Sequence, residues 1–325
     1  MKALVCKGVK EPLVYEDIDL PAYANNEAFG IITLKAAGLN RRDYWITKGL
    51  YPGLRFPTVL GSDGCGLYEG REVVINPTML WGEDQRYPTD DYQILGLEEY
   101  GTFAEQVAVR KKNIYPKPSH LTIEQAAALP LAGVTAYRAL FTRCGLQAGE
   151  KVLISGVGGG VALFACQFAL AAGAEVYVTS SSEEKIERAV AMGASGGVNY
   201  KDNDAMKQLS KATGGFDVVI DSAGGSGFNM LLRMCRKGAR IGVYGGTLGN
   251  WEGINVPNIF FKQLSIYGST MGSDFEFAKM LDLVNKHHIV PVVDRVFDLK
   301  AGNEALSLMK TSPQFGKIVL RVDQD

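Results

Sequence analysis

Hydrophobic positions change their period along this chain, and the changes divide it. Up to about residue 120 they fall in short β-type runs, Ala3–Cys6, Gly30–Lys35, Arg71–Ile75 and Phe103–Val109, punctuated by turns such as Tyr51-Pro-Gly-Leu. This predicts a mainly antiparallel β domain. From Ile123 to Phe141 the spacing is helical, with a break expected at Pro130. Strand-like and helical stretches then alternate. An apolar run from Lys151 is followed by a helical pattern over Val161–Ala172, a strand at Glu175–Thr179, and a helix starting at Ser180-Ser-Ser-Glu-Glu-Lys and stopping at Gly193. Further strands are expected at Gly197–Tyr200, Phe216–Asp221, Ala239–Tyr244 and Leu264–Tyr267. Such alternation indicates βαβ units and a doubly wound parallel sheet. The last pieces are a helix (Asp274–Lys286), a strand (Val292–Leu299), a helix (Asn303–Lys310) and a strand (Lys317–Val322). A completed six-strand sheet has no place for them, so they are expected to return to the first domain. No internal repeat or low-complexity linker interrupts this order.

The junction between Lys151–Ile154 and the helix after it carries four glycines in the five residues Gly156–Gly160. Strand, glycine turn and helix in that order describe a dinucleotide pyrophosphate site. Glycines let the backbone approach the phosphates, and the first helical amides point N–H groups at the anion. The fingerprint reads Gly-x-x-Gly-Gly-Val-Ala, a departure from Gly-x-Gly-x-x-Gly; its weight comes from the βαβ alternation around it.

Composition narrows the class. The 325 residues suffice for two domains, and a net charge of −1 implies no basic face for nucleic acid or an acidic membrane. No apolar run reaches the length of a membrane span, and the N-terminal Met1–Lys7 is too short for a signal peptide. The five cysteines, Cys6, Cys65, Cys144, Cys166 and Cys235, are scattered and odd in number, which suits buried thiols in a reducing compartment. A cytoplasmic enzyme is the expectation.

The order of motifs resembles the medium-chain dehydrogenase/reductase superfamily over nearly the whole chain. Within it the chain is similar to the zinc-free quinone oxidoreductase and enone reductase branch. The resemblance rests on Ala37-Gly-Leu-Asn-Arg-Arg-Asp43, Leu60-Gly-Ser-Asp-Gly64, Gly101-Thr-Phe-Ala-Glu105, Leu131-Ala-Gly-Val-Thr-Ala-Tyr137, Gly156–Ala162, Asp221-Ser-Ala-Gly-Gly225 and Phe315-Gly-Lys-Ile-Val. It implies an α/β protein: a GroES-like β-rich catalytic domain (1–121 and 273–325) plus a Rossmann nucleotide-binding domain (122–272), with the active site in the cleft between. One departure is the segment Gly66-Leu-Tyr-Glu-Gly-Arg71, a tight turn where relatives carry a longer hairpin.

Zinc is not expected. Catalytic zinc needs about three side-chain ligands from Cys, His and carboxylates, and structural zinc about four cysteines. The resemblance places one ligand of the zinc-using relatives at Asn40, another in a Gly-His-Glu that here reads Gly61-Ser-Asp63, and a third near Leu131; all three are missing. No cysteine cluster lies between Ile75 and Tyr100. His120 lies near the domain junction, and His287 and His288 read as a solvated helix end. Without a metal to stabilise an alkoxide, hydride transfer is feasible mainly to electrophilic carbons, as in quinones and conjugated enones.

An NAD site places an acid about twenty residues beyond the glycine turn, on the ribose 2′-OH. Here that position is Ser180, inside Thr179-Ser-Ser-Ser182, with Lys185 one turn further. Hydroxyls from Ser180 and Ser181 with the Lys185 cation suit a 2′-phosphate, which predicts NADP(H). The alternative is that Ser180 and Ser181 only cap the helix, with Glu183 and Glu184 completing capping boxes. The resemblance adds Tyr200, which it places beside the adenosine.

Asn40, Asp43, Tyr44, Trp45 and Asp63 are the candidate catalytic residues. By resemblance Asn40 touches the nicotinamide ribose, and Trp45 stands where quinone reductases often carry Tyr, leaving Tyr44 or water as proton donor. Asp63 is expected to pair with Arg42 or another local cation. The cofactor-binding set implied by the resemblance comprises Asn40, Thr135 at the nicotinamide amide, the turn Gly158, Gly159, Gly160 and Val161, Ala223, and the strand-end residues Gly245, Gly246, Thr247, Ser269, Thr270 and Met271. Strand ends are the ligand side of such a sheet.

Three functions fit. The first is NADPH-dependent reduction of a small quinone or α,β-unsaturated carbonyl. The second is enoyl-thioester (enoyl-CoA) reduction, with Arg41, Arg42 and Arg55 meeting a coenzyme A phosphate. The third is a non-catalytic NADPH-binding sensor. A homodimer is expected, since in related proteins the strand matching Leu264–Tyr267 pairs across a two-fold axis.

Overall fold

The strand Phe29–Gly38 shows how the pattern becomes architecture. Gly30, Ile32, Leu34 and Ala36 are buried while the residues between them are partly or fully exposed, a period of two with one face inward. Between Leu34 and Ala36 the register slips against its partner Asp63–Tyr68. A side chain at Gly66 there would lie 2.2 Å from the Thr33 carbonyl oxygen, so the close approach requires glycine. In this computed structural model, which describes residues 1–322, the chain forms two compact units: Met1–Val134 with the segment from Gly272 onward, and Thr135–Met271.

The first unit holds a seven-stranded sheet. Its main path runs Ile114–Pro116, Arg71–Ile75, Asp63–Tyr68, Phe29–Gly38, Lys317–Arg321, Val293–Asp298, and Gln106–Arg110 also pairs with Phe29–Thr33. Pairing is antiparallel except between the last two strands of the path. The expected tight turn is present: Tyr68 pairs with Arg71 around Glu69 and Gly70, both at positive φ, as a type I′ hairpin demands. A second, three-stranded sheet joins Val14–Asp17, Lys2–Cys6 and Thr58–Val59. The C-terminal strand does return to this unit, Val319 pairing with Gly38. The expected domain boundary at residue 122 moves to residue 135. The physical reason is the helix Ile123–Ala128, which packs on Phe29–Gly38, Asp63–Tyr68 and Lys317–Arg321 with Ala126, Ala127 and Ala128 buried. The break at Pro130 separates it from Pro130–Tyr137, which continues as a π-helical turn, Arg138–Arg143.

The second unit holds six parallel strands, Lys151–Ile154, Glu175–Ser180, Gly196–Asn199, Phe216–Asp221, Cys235–Val243 and Ser265–Gly268. Counted in sequence order they lie 3-2-1-4-5-6, the order of a Rossmann sheet. The fifth strand begins at Cys235, earlier than the hydrophobic run, because it continues through the exposed Arg236–Gly238 and slips register near Val218. All five cysteines are free and buried, and burial pushes the thiols of Cys65, Cys144, Cys166 and Cys235 up to about 12. Among the described residues no helix is long and apolar enough to cross a membrane.

Candidate functional site

In the first unit the site grows out of strand register. Gly38 faces Asp63 on one neighbouring strand and Val319 on the other, and the Leu39 N–H donates to the Ile318 carbonyl at 2.9 Å. This pairing brings Asn40, Asp63 and Lys317 together from three distant parts of the chain. Asp63 is fully buried. Its Oδ2 accepts from Asn40 Nδ2 at 2.9 Å and Lys317 Nζ at 3.0 Å, and its Oδ1 accepts from the Leu131 N–H at 2.7 Å. Lys317 Nζ also donates to Asn40 Oδ1 at 2.6 Å. A carboxylate at the first turn of the helix Pro130–Tyr137 also suits the positive end of that helix.

Of the two partners expected for Asp63, Arg42 or another local cation, the structure gives the second, Lys317. Arg42 turns away to Ser62 Oγ (2.6 Å) and the Leu95 carbonyl (2.9 Å), with its guanidinium 5.0 Å from the Tyr51 ring centre. Lys317 belongs to the motif Phe315-Gly-Lys-Ile-Val, in which sequence reasoning assigns it no role. The available signal is a lysine opening a strand whose next three residues are apolar, where a 5 % exposed ammonium needs a partner.

Asp43 closes a capping box with Asn40. It is fully buried in the first turn of the helix Arg41–Thr47, where it accepts from the Asn40 backbone N–H at 2.8 Å. Burial pushes its carboxyl up to about 6, opposed by Arg42, whose nearest nitrogen is 4.0 Å away. Tyr44 and Trp45 are half-buried; Tyr44 packs against the core of this unit, with the Lys48 ammonium 5.3 Å from its ring centre. The three arginines considered for a coenzyme A phosphate do not converge. Arg41 holds the Met309 carbonyl and the Ser312 hydroxyl at the end of the helix Gly302–Thr311, Arg42 is committed as above, and the exposed Arg55 lies 3.6 Å from Glu98. His287 and His288 are both exposed at the helix end, as expected, and His288 packs edge-on against His120, whose Nε2 lies 3.1 Å from the Ile289 carbonyl oxygen.

In the second unit Gly159 caps the helix Gly160–Ala171, which begins one residue earlier than its hydrophobic pattern. Gly158 has φ +123°, and a Cβ there would meet Lys185 Cδ at 2.8 Å and Nζ at 3.3 Å. Lys185 thus lies across the glycine turn, while nothing stands within 4 Å of a Cβ on Gly156 or Gly159. Ser180 ends the second strand, 4 % exposed, its Oγ accepting from the Ser182 N–H at 3.2 Å. The helix cap is Ser182, which accepts from the Lys185 N–H at 3.4 Å, so capping does not fall to Ser180 or Ser181. The Glu183 carboxylate accepts from Asn199 Nδ2 at 3.1 Å. Tyr200 is exposed, and its N–H donates to the Ser180 carbonyl at 3.1 Å. Gly158, Ser180, Lys185 and Tyr200 therefore share one end of the sheet.

At that end two loops are joined. Buried Asp221 accepts from the Ser155 hydroxyl and from the Ala223 and Gly224 N–H groups at 3.2 and 3.0 Å. The Ser222 carbonyl accepts from the Thr247 N–H at 3.0 Å and its hydroxyl at 3.1 Å, and Leu248 N–H donates to the Ala223 carbonyl at 2.8 Å. A Cβ on Gly245 would lie 3.2 Å from the Ser222 carbonyl oxygen, whereas Gly246 has room. Sequence reasoning misses the Ser155–Asp221 clamp; both residues sit at ends of neighbouring strands. Ser269 is fixed through its N–H to the Val243 carbonyl at 2.8 Å, and its buried Oγ has no hydrogen-bond partner among the described residues. Thr270 is exposed. Met271 is buried at φ +44°, with its sulfur 3.9 Å from Thr135 Oγ1.

Residues 29–119 match the family model of the alcohol dehydrogenase GroES-like domain, and residues 160–286 that of the zinc-binding dehydrogenases. A zinc-type alcohol dehydrogenase-like protein of Leptosphaeria maculans is 34 % identical over 99 % of this chain and 98 % of its own. A crystal structure of an NAD-dependent alcohol dehydrogenase superposes with a TM-score of 0.92 at 36 % identity, over 99 % of this chain and 100 % of that one. The quinone oxidoreductase of Thermus thermophilus, solved also with NADPH, superposes with a TM-score of 0.83 at 27 % identity, over 99 % and 100 %. With the Rossmann strand order and the GroES-like domain, these matches make the chain a medium-chain dehydrogenase/reductase, an oxidoreductase.

Proposed function

We propose that the chain is an NADP(H)-dependent reductase of quinones or α,β-unsaturated carbonyls that works without catalytic zinc. The observation that carries this reading is the Lys317 ammonium. The positions that hold metal ligands in zinc-using relatives, Asn40, Ser62–Asp63 and the region of Leu131, meet here around one carboxylate, and that carboxylate is already neutralised by a lysine 3.0 Å away. A metal would have to displace a bonded cation and bind an amide and a single acid. Among the described residues no group of three or more His, Cys, Asp or Glu side chains is placed to hold a metal ion. Neither donor set nor charge fits zinc, whatever the names of some relatives.

The second unit supports a pyridine dinucleotide. Gly156 and Gly159 leave room for a pyrophosphate, and Lys185 beside Gly158 with the hydroxyl of Ser180 favours a 2′-phosphate. When bound, the nicotinamide supplies the hydride. The residues Thr135, Gly245 to Thr247 and Ser269 to Met271 orient it, and a proton comes from Tyr44 or water. Much of the rate then comes from holding two reactants together. The enoyl-thioester alternative loses its phosphate-binding arginines to other partners. A homodimer is supported by the edge position of Ser265–Gly268 and the exposure of Phe260 and Phe261 beside it; a cytoplasmic location fits the free thiols.

The test follows nicotinamide absorbance with NADPH and 1,4-benzoquinone, a simple enone, or an enoyl-CoA, and with NADP⁺ and a saturated alcohol, alongside elemental analysis. Turnover of quinone or enone by metal-free protein is expected. About one zinc per chain, with alcohol oxidation lost to a chelator, overturns the proposal.

A further inference from the structure

The Asn40 carboxamide sits between a fixed cation and a fixed anion. Its Oδ1 accepts from Lys317 Nζ at 2.6 Å and its Nδ2 donates to Asp63 Oδ2 at 2.9 Å. Turning the amide over would set its oxygen against a carboxylate that can only accept, and its N–H₂ against an ammonium that can only donate. The orientation is therefore determined by chemistry as well as by distance. Asp63 has both oxygens engaged, by Leu131, Asn40 and Lys317, and the three side chains are 6 %, 0 % and 5 % exposed at Asn40, Asp63 and Lys317. A buried ion pair of this kind is poor evidence for stability, because a well-packed apolar pair often serves as well; its best-attested use is to fix a geometry.

We propose that Lys317 is a positioning residue that takes the place of a metal ion: it locks the Asn40 carboxamide oxygen-inward, so that Asn40 meets a bound ligand only as an N–H donor. One Nδ2 proton is held by Asp63 and the other remains for an acceptor, such as a hydroxyl or carbonyl oxygen of the cofactor or substrate. This rests on the zinc-free reading above. It further assigns the role of the catalytic carboxylate: Asp63 orients Asn40 and does not transfer a proton.

The test separates stability from positioning. Lys317→Met alone leaves a buried, uncompensated carboxylate and is expected to lower Tm strongly. The double variant Lys317→Met/Asp63→Asn removes both charges at similar volume. It is expected to melt close to wild type, with kcat for 1,4-benzoquinone reduction at least tenfold lower and KM for NADPH changed less than threefold. Turnover within twofold of wild type in a double variant that melts normally overturns the proposal. If the double variant does not fold, Lys317→Ala with ethylammonium serves. A tenfold or greater recovery of turnover by the amine, and none by tetramethylammonium, which has no N–H, is expected; no recovery overturns the proposal. A readout independent of activity is the Asn40 side-chain N–H₂ pair in an ¹⁵N spectrum, identified by its loss in Asn40→Asp. It is expected to shift in the double variant, and an unchanged pair sinks the positioning role. Should wild type reduce no quinone or enone, the functional reading fails while this spectrum still decides the role of Lys317.

Discussion

Replacing Ser180 by Asp probes the cofactor assignment most directly. Ser180 ends its strand with Oγ 3.2 Å from the Ser182 N–H, and an aspartate oxygen can accept the same bond, so the loop and the Ser182 cap are expected to survive. The charge, however, is placed at the strand end to which the proposal above assigns the ribose 2′ substituent. Losing one charge-assisted hydrogen bond to a phosphate costs about 1.5–3 kcal/mol. Repulsion between carboxylate and phosphate at about 4 Å adds about 1 kcal/mol in a water-like dielectric. Together these weaken NADPH by about a hundredfold, and by up to about a thousandfold at about 1.4 kcal/mol per factor of ten. NADH binding stays level or improves, since the ribose 2′-OH gains an acceptor. Lys185→Ala, which uncovers Gly158, weakens NADPH alone and by a smaller factor. Both dinucleotides are titrated by fluorescence, with Tm as the check on folding. If wild type prefers NADH, or if Ser180→Asp leaves the ratio of the two affinities unchanged, the assignment is wrong. Glu184 then takes the ribose, because Glu183 is engaged by Asn199.

Three further outcomes follow from single contacts. A Cβ at Gly101 would lie 2.1 Å from the Gly61 carbonyl oxygen and 2.5 Å from that of Leu60, so Gly101→Ala is expected to cost about 3 kcal/mol in urea unfolding; a loss below about 1 kcal/mol contradicts the packing. Lys262 Nζ donates to the Leu232, Arg233 and Cys235 carbonyls at 3.1, 2.7 and 2.7 Å, closing the end of the helix Phe228–Met234. Lys262→Met should lower stability by about 1–2 kcal/mol, measured as a fall in Tm. The Asp43 carboxyl titrates at about 6 in the fold against 3.8 as its ordinary value. Between these pH values the folded chain holds a proton that the unfolded chain has released, so its contribution to stability is present below about pH 4 and lost as pH rises to 6. Wild type should lose about 2 kcal/mol from this group between about pH 4.5 and 7.5. Asp43→Asn should lack the loss, as urea midpoints at pH 4.5 and 7.5 will reveal; equal pH slopes refute it.

Elements with a local signal were legible in the sequence. Phe216–Asp221, Arg71–Ile75 and the helix Asp274–Lys286 are bounded as their hydrophobic periods indicated, because period and capping are properties of neighbouring residues. The helix Asp274–Lys286 even carries its own start signal, Ser273 and Glu276 capping each other. The glycine turn was legible for the same reason, since strand, glycines and helix follow one another directly along the chain. The chain alone also shows Asn40, Ser62 and Leu131 at the positions where the resemblance places zinc ligands, since a replaced residue type needs no coordinates to be noticed. What only tertiary structure decided is who partners whom. Asp63 finds Lys317 and not Arg42 because Gly38 stands between Asp63 and Val319 in the sheet, a register fixed by pairing strands from opposite ends of the chain. The domain boundary moved for a similar reason: a helix with three consecutive buried alanines takes its place from the sheet it covers, and the sequence around it does not name that sheet. Local chemistry fixes elements, whereas burial of charge is settled only when distant segments meet and each ion must find a partner before leaving water.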